Sequence, residues 1–206
     1  MSFLDELSAR FGVPYRFAKL PEKCRAYLVD GAAVLNENLN SERAHWAYCH
    51  EVAHLQLGHP ANPPRDDAEE RDQETEANRL ASDLLLPEDQ FAPAAQGSLT
   101  ELKRTFPFAS HEVLARKRMR YRPGLLTIFD NGKMTARLVP DDWNPPAGGL
   151  FPLEREALKL SLESKGEETV KREGLQVEAT YVDEGRGVIR VILFLEGEME
   201  QGFCIT

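Results

Sequence analysis

Apolar side chains recur at helical spacing through most of the first 120 residues. Residues 2–11 present one apolar face, and Ser2 precedes it as a candidate N-cap. Ser41 is predicted to cap a longer helix, which runs through the segment ERAHWAYCHEVAHLQL and ends at Gly58. A third apolar face spans residues 69–86, before a proline. This part of the chain is therefore predicted to be mainly helical.

Two pairs of turn residues interrupt apolar runs of the kind that form strands. Asp30-Gly31 separates the halves of CRAYLVDGAAVLNENL, and Asn131-Gly132 separates those of LLTIFDNGKMTARLV. Both patterns predict β-hairpins. Near the C-terminal end, GLQVEATYV and GVIRVILFLE read as two further strands across a glycine-containing turn.

The balance of helix and strand changes after the segment RYRPG. The prediction is an α+β protein with two parts. Residues 1–120 form a mainly helical domain that includes a small N-terminal β-hairpin, and residues 121–206 form a small α+β module with one helix from Pro152 to Gly166. The role of the second part, in sensing or in binding a partner, is left open by the sequence.

Composition excludes several classes of protein. The formal net charge of −9 gives no overall attraction to nucleic acid or to anionic membranes. No apolar run has the length of a transmembrane helix, and the acidic start MSFLDELSARFGV does not resemble a signal peptide. The three cysteines lack paired metal-binding spacing. A cytoplasmic protein that does not bind membranes is expected, and its oligomeric state is open.

The segment HEVAH, residues 50–54, carries the clearest chemistry. Four residues along a helix turn a side chain by about 400°, so His50 and His54 lie one above the other. Two imidazoles in this arrangement can share a tetrahedral zinc ion. Glu51 points about 100° away from His50 and can act as a general base without being a ligand. The alternative is that the two histidines are only a hydrogen-bonded pair on a helix. A similar segment, HEVLA at 111–115, has Ala115 in place of a second histidine and is not a candidate metal site.

A catalytic zinc site needs a third protein ligand and an open position. The segment after the long helix offers several acids. Glu74 borders the predicted buried face of its helix, whereas Glu76 lies about 200° further round, nearer to solvent. Glu70 shares the stripe of Glu74 one turn earlier, so periodicity alone does not choose between them. The full set of candidate acids is Asp67, Glu69, Glu70, Asp72, Glu74 and Glu76.

The segments AYCHEVAHLQLGHP and ETEANRLASDLLLPEDQF together resemble the ImmA/IrrE family of zinc metallopeptidases. The resemblance covers roughly residues 10–120 and implies a zincin-like, HExxH-dependent endopeptidase with one Zn²⁺ per chain. It implies His50, His54 and Glu74 as zinc ligands and Glu51 as the catalytic residue. It also implies a protein substrate, a helix-turn-helix repressor that controls stress-response or mobile-element genes. Cys49 departs from the usual alanine of the family and is expected to lie in the core.

Two other functions are compatible with parts of the chain. Helices predicted at 98–106 and 110–119, with the basic run ARKRMRYR, could form a helix-turn-helix of a DNA-binding regulator. A solvated basic end of a packed helical pair is the preferred interpretation, so direct binding of nucleic acid is not expected. A purely structural zinc site is disfavoured because such sites usually contain several cysteines.

The group that stabilises the oxyanion of a peptidase is not fixed by the sequence. His45, His59, Tyr27 and Tyr48 are equal candidates at this point.

Overall fold

A computed structural model describes residues 1–60, 66–140, 143, 149–185 and 187–197. The described residues form an α+β fold with seven helices and two sheets, as expected from the sequence. The helices are α1 (Phe3–Phe11), α2 (Ser41–Leu57), α3 (Asp67–Leu85), α4 (Glu88–Ala94), α5 (Leu99–Thr105), α6 (His111–Arg118) and α7 (Pro152–Ser164). The strands are β1 (Tyr15–Ala18), β2 (Ala26–Val29), β3 (Ala32–Asn36), β4 (Leu125–Asp130), β5 (Lys133–Leu138), β6 (Glu167–Arg172), β7 (Leu175–Asp183) and β8 (Ile189–Gly197).

The chain divides into two compact units. The first contains residues 1–93 and 106–110, and the second contains residues 94–105 and 111–206. This division does not follow the predicted boundary at residue 120, because α5 and α6 group with the C-terminal sheet. The assignment of separate domains to 1–120 and 121–206 stays a prediction.

The first unit is built around a three-stranded sheet and the helices α1–α4. Strand order is β1-β3-β2, with β3 in the middle, parallel to β1 and antiparallel to β2. The central strand is the most buried, and Ala33, Val34 and Leu35 are fully inaccessible. Strand β1 was not predicted, because four residues are too few to show a clear periodicity and its pairing partner is distant in sequence.

The ends of the long helix α2 follow from local chemistry. Its N-cap is Asn40, whose side-chain oxygen accepts a hydrogen bond from the Arg43 amide at 2.9 Å. The predicted cap, Ser41, is instead the first helical residue, so the prediction was wrong by one position. Gly58 ends the helix in the left-handed conformation, with φ 69°, as predicted.

The second unit contains a five-stranded antiparallel sheet in the order β5-β4-β8-β7-β6. The predicted hairpin at Asn131-Gly132 is present, and both turn residues have positive φ. The apolar strand β8 lies at the centre of the sheet and is almost wholly buried. Strand β6, which is rich in charge, was not predicted. Helix α7 begins at Pro152, as expected, and packs on β6, β7 and β8.

Across the described part of the chain, every helix is too short or too polar to traverse a lipid bilayer.

Candidate active site

Helices α2 and α3 bring the predicted site residues together. The two helices pack against each other through small side chains, and Ala53, Ala77 and Ala81 are fully buried. Small residues at a helix interface let the two backbones approach closely. The first helix can therefore present His50, and the second Glu74, to a common point.

Three side chains converge at this point. The Nε2 atoms of His50 and His54 are 3.1 Å apart. Glu74 Oε2 lies 3.4 Å from His50 Nε2, and Glu74 Oε1 lies 3.3 Å from His54 Nε2. Ligands about 2.0–2.1 Å from a tetrahedral zinc ion are separated by about 3.3–3.4 Å. The donor set, two imidazole nitrogens and a carboxylate, therefore fits zinc in both chemistry and spacing.

The electrostatic environment favours the neutral form of both imidazoles. Burial lowers the pKa of His50, and the neighbouring His54 lowers it further. Burial also lowers the pKa of His54, against the opposing effect of Glu74. A neutral imidazole has the free lone pair that a metal ligand requires.

Glu51 lies beside these ligands without joining them. It follows His50 on α2 and lines the same cleft. Burial raises the pKa of its carboxyl group from 4.5 to about 7, with a further contribution from the negative charge of Glu74. A general base works best when its pKa is near the working pH, so Glu51 has the properties of a proton acceptor.

The site opens into a cleft of about 900 Å³ within the first unit. One wall is β2 with its flanking residues 23–31, and the other walls come from α2 and α3. Strand β2 is at the edge of its sheet, and Tyr27 and Val29 on it are substantially exposed. Glu70 also lines the cleft but is not one of the three converging ligands.

The four candidates for the oxyanion group lie in different places. Tyr48 is fully buried and its hydroxyl donates to the Val13 carbonyl at 2.7 Å; burial raises its pKa to about 12. His45 is also buried, with Nδ1 2.9 Å from the Phe108 carbonyl. Both belong to the core of the first unit. Tyr27 and His59 line the cleft instead.

Three neighbouring residues complete the description of the site. Cys49 is fully inaccessible, and burial raises the pKa of its thiol to about 12, as suits a core residue. His59 follows the helix-ending glycine, and its Nδ1 lies 3.0 Å from Nδ1 of His54. Glu76, whose side chain is 67% exposed, lies 3.5 Å from Nε2 of His59. Sequence periodicity did not predict the contacts of His59 with His54 and Glu76, because the turn that brings His59 back over α2 is not helical.

The segment that contains this site was compared with known protein families. No curated protein matches the chain. Residues 33–117 match the family model Peptidase_M78, described as the IrrE N-terminal-like domain. The matched segment includes most of β3 together with α2 and α3, and with them the two histidines and both glutamates of the site. Residues 33–117, which carry the whole candidate site, are therefore similar to the IrrE N-terminal-like domain of a peptidase family.

Proposed function

We propose that the protein is a zinc-dependent endopeptidase in which His50, His54 and Glu74 hold one zinc ion and Glu51 is the catalytic base. The observation that carries the proposal is the convergence of these three side chains, whose nitrogen and oxygen atoms lie 3.1, 3.4 and 3.3 Å apart. The metallopeptidase family of the surrounding segment supports the same conclusion.

The chemistry divides between the metal and the protein. Zinc, when bound, supplies a Lewis acid that makes water a nucleophile near neutral pH and polarises a carbonyl group. Glu51 accepts the proton of the attacking water and delivers it to the nitrogen of the leaving amine as the peptide bond breaks. Burial, which raises the pKa of this carboxyl group in the metal-free protein, makes it a stronger base than an exposed glutamate. Tyr27, exposed in the cleft, is the preferred candidate for a donor to the oxyanion.

A peptide substrate would lie extended along the wall formed by β2. Among the described residues, this strand pairs with β3 alone, so an added strand could pair with its other edge. Such pairing would fix the main chain of the substrate while the side chains of residues such as Tyr27 contact alternate positions. An extended segment of about four to six residues would be required, which favours flexible regions of a partner protein over folded ones.

The proposed substrate is a helix-turn-helix repressor, and the proposed compartment is the cytoplasm. A peptidase that works among cytoplasmic proteins must be selective, and a regulatory role satisfies this requirement. The net charge of −9 also favours a basic partner, which a DNA-binding protein normally is. Cleavage would release the genes that the repressor controls, in a stress response or in mobile-element regulation.

The test is incubation of zinc-loaded protein with the repressor encoded nearest to its own gene, with Glu51→Gln as the matched control. Wild type should make a discrete cut. The variant should retain zinc but lose at least about 100-fold in kcat, because an amide cannot accept the proton of water. Equal turnover by the two proteins would refute the assignment of Glu51. Absence of cleavage together with specific binding of duplex DNA would favour a DNA-binding regulator.

The basic run that suggested DNA binding is largely occupied within the second unit. Arg118, almost fully buried, donates to Glu178 at 2.6 Å, and Arg122 contacts both Glu178 and Glu196. Arg116 pairs with Glu112 one helical turn earlier, at 2.9 Å. Guanidinium groups held by internal carboxylates are poorly placed to bind phosphates. The regulator hypothesis is therefore the weaker of the two.

A further inference from the structure

One proposed ligand, His54, contacts another histidine, His59, through the ring nitrogen that faces away from the metal site. His54 directs Nε2 toward Glu74 and His50, while its Nδ1 lies 3.0 Å from Nδ1 of His59. His59 in turn directs Nε2 toward Glu76 Oε2, at 3.5 Å. A continuous chain of side chains thus leads from an exposed carboxylate to the atom that would bind the metal.

The tautomers of the two histidines give this series of hydrogen bonds a single direction. A histidine that binds a metal through Nε2 carries its proton on Nδ1. The Nδ1–H of His54 then donates to Nδ1 of His59, which must be unprotonated and so carries its own proton on Nε2. That Nε2–H faces the carboxylate of Glu76, which only accepts when ionised. Each group has one tautomer that satisfies its neighbour, and together they leave Nε2 of His54 free for the metal.

The position of His59 is fixed by the backbone rather than by chance contact. Gly58 adopts the left-handed conformation, and the amide of His59 donates to the carbonyl of His54 at 3.0 Å, the pattern of a Schellman motif. This turn folds the chain back over the last turn of α2. The side chain of His59 is only 9% exposed, so its ring has little freedom to turn away.

We propose that His59 is a positioning residue of the metal site, which accepts the Nδ1–H of His54 and so fixes the ring and tautomer of that ligand. Glu76 has the lesser role of fixing the tautomer of His59, because its contact is longer and its side chain is 67% exposed. The inference rests on the proposed function, since it assumes that His54 is a ligand. Outer partners of metal-binding histidines typically change metal affinity by roughly 10- to 100-fold.

The experiment compares three variants in zinc affinity, measured by competition with a chromogenic chelator. His59→Phe keeps a ring but has no acceptor, and zinc affinity should fall by roughly 10- to 100-fold. His59→Asn places a carbonyl oxygen close to the former position of Nδ1, and affinity should return to within about threefold of wild type. Glu76→Gln should lower affinity less than His59→Phe. Glu69→Gln, an exposed change on the same helix α3 as Glu76, is its matched control.

A spectroscopic measurement separates positioning from general damage. The cobalt-substituted protein should show an altered visible absorption spectrum in His59→Phe and a wild-type spectrum in His59→Asn, because the geometry of the ligands sets the spectrum. Equal zinc affinity of wild type and His59→Phe would overturn the inference. So would an equal loss in His59→Phe and His59→Asn, since the acceptor would then be irrelevant. Failure of wild type to bind zinc would instead refute the proposed function.

Discussion

Replacement of Glu51 by glutamine should change the pH dependence of stability in the metal-free protein. Glu51 is the group whose environment differs most clearly between the folded and unfolded chain at this site. Burial, reinforced by Glu74, raises its pKa from 4.5 to about 7. Glutamine has nearly the same shape and no charge at any pH, so Glu51→Gln removes the titration while leaving the packing almost unchanged.

The magnitude follows from the difference in pKa. A folded-state pKa above the unfolded value means that the protonated form stabilises the fold. This contribution is fully present below pH 4.5 and is lost as the pH rises through about 7. A shift from 4.5 to about 7 corresponds to about 3 kcal/mol, at about 1.4 kcal/mol per pH unit. The free energy of unfolding of the variant, minus that of wild type, should therefore be about 3 kcal/mol larger at about pH 9 than at about pH 4.

The assay is urea unfolding of both proteins after treatment with a chelator, at several values between about pH 4 and about pH 9. Removal of zinc matters, because a bound cation would stabilise the ionised carboxylate and mask the effect. Glu69→Gln, which removes one exposed carboxylate from α3, corrects for the change in net charge. The quantity of interest is the difference in the free energy of unfolding between variant and wild type.

A constant difference across this pH range would show that Glu51 is not buried as described. A difference that grows as the pH falls would show that its carboxylate is stabilised, for instance by an unrecognised cation. Either result would remove the electrostatic argument for Glu51 as a base with a pKa near neutrality.

Two further predictions concern the ligands and the second unit. Glu74→Ala should abolish stoichiometric zinc content in elemental analysis, whereas Glu76→Ala should retain most of it, because Glu74 contacts both His50 and His54 and Glu76 contacts His59 instead. The opposite result would exchange the roles of the two glutamates. Arg118→Ala should destabilise the protein by on the order of 2 kcal/mol in urea unfolding, since it leaves the carboxylate of Glu178 with Arg122 as its remaining arginine partner; unchanged stability would contradict a structural role for this ion pair. Burial opposes the ionisation of Glu178, but the arginines lower its pKa overall, so its contribution should be lost as the pH falls below the ordinary range of glutamate.

Local sequence patterns were sufficient to predict the helix that carries His50 and His54, together with two hairpins. An α-helix places residues i and i+4 on one face whatever surrounds it, so the stacking of His50 and His54 followed from their spacing alone. Turn pairs that need positive φ marked the hairpins at Asp30-Gly31 and Asn131-Gly132 equally well. The match of residues 33–117 to a metallopeptidase family agrees with the resemblance seen in the quoted motifs.

Prediction from the sequence failed for strands that depend on pairing with the rest of a sheet. Strand β1 forms because β3, about 18 residues later in register, offers an open edge, and neither strand contains that information by itself. Strand β6 is charged and pairs with β7 only in the context of the whole sheet. Secondary structure of this kind depends on tertiary pairing, which outweighs weak local preference.

The same distinction applies within the site. The sequence determined which helix carries the two histidines and that Glu51 points away from them, because these relations are set by the geometry of one helix. Tertiary structure decided that Glu74, and not Glu70, meets both imidazoles, since that depends on how closely α3 packs against α2. It also sent His45 and Tyr48 into the core, and it folded His59 back onto His54 through a left-handed glycine, a contact that no helical period contains.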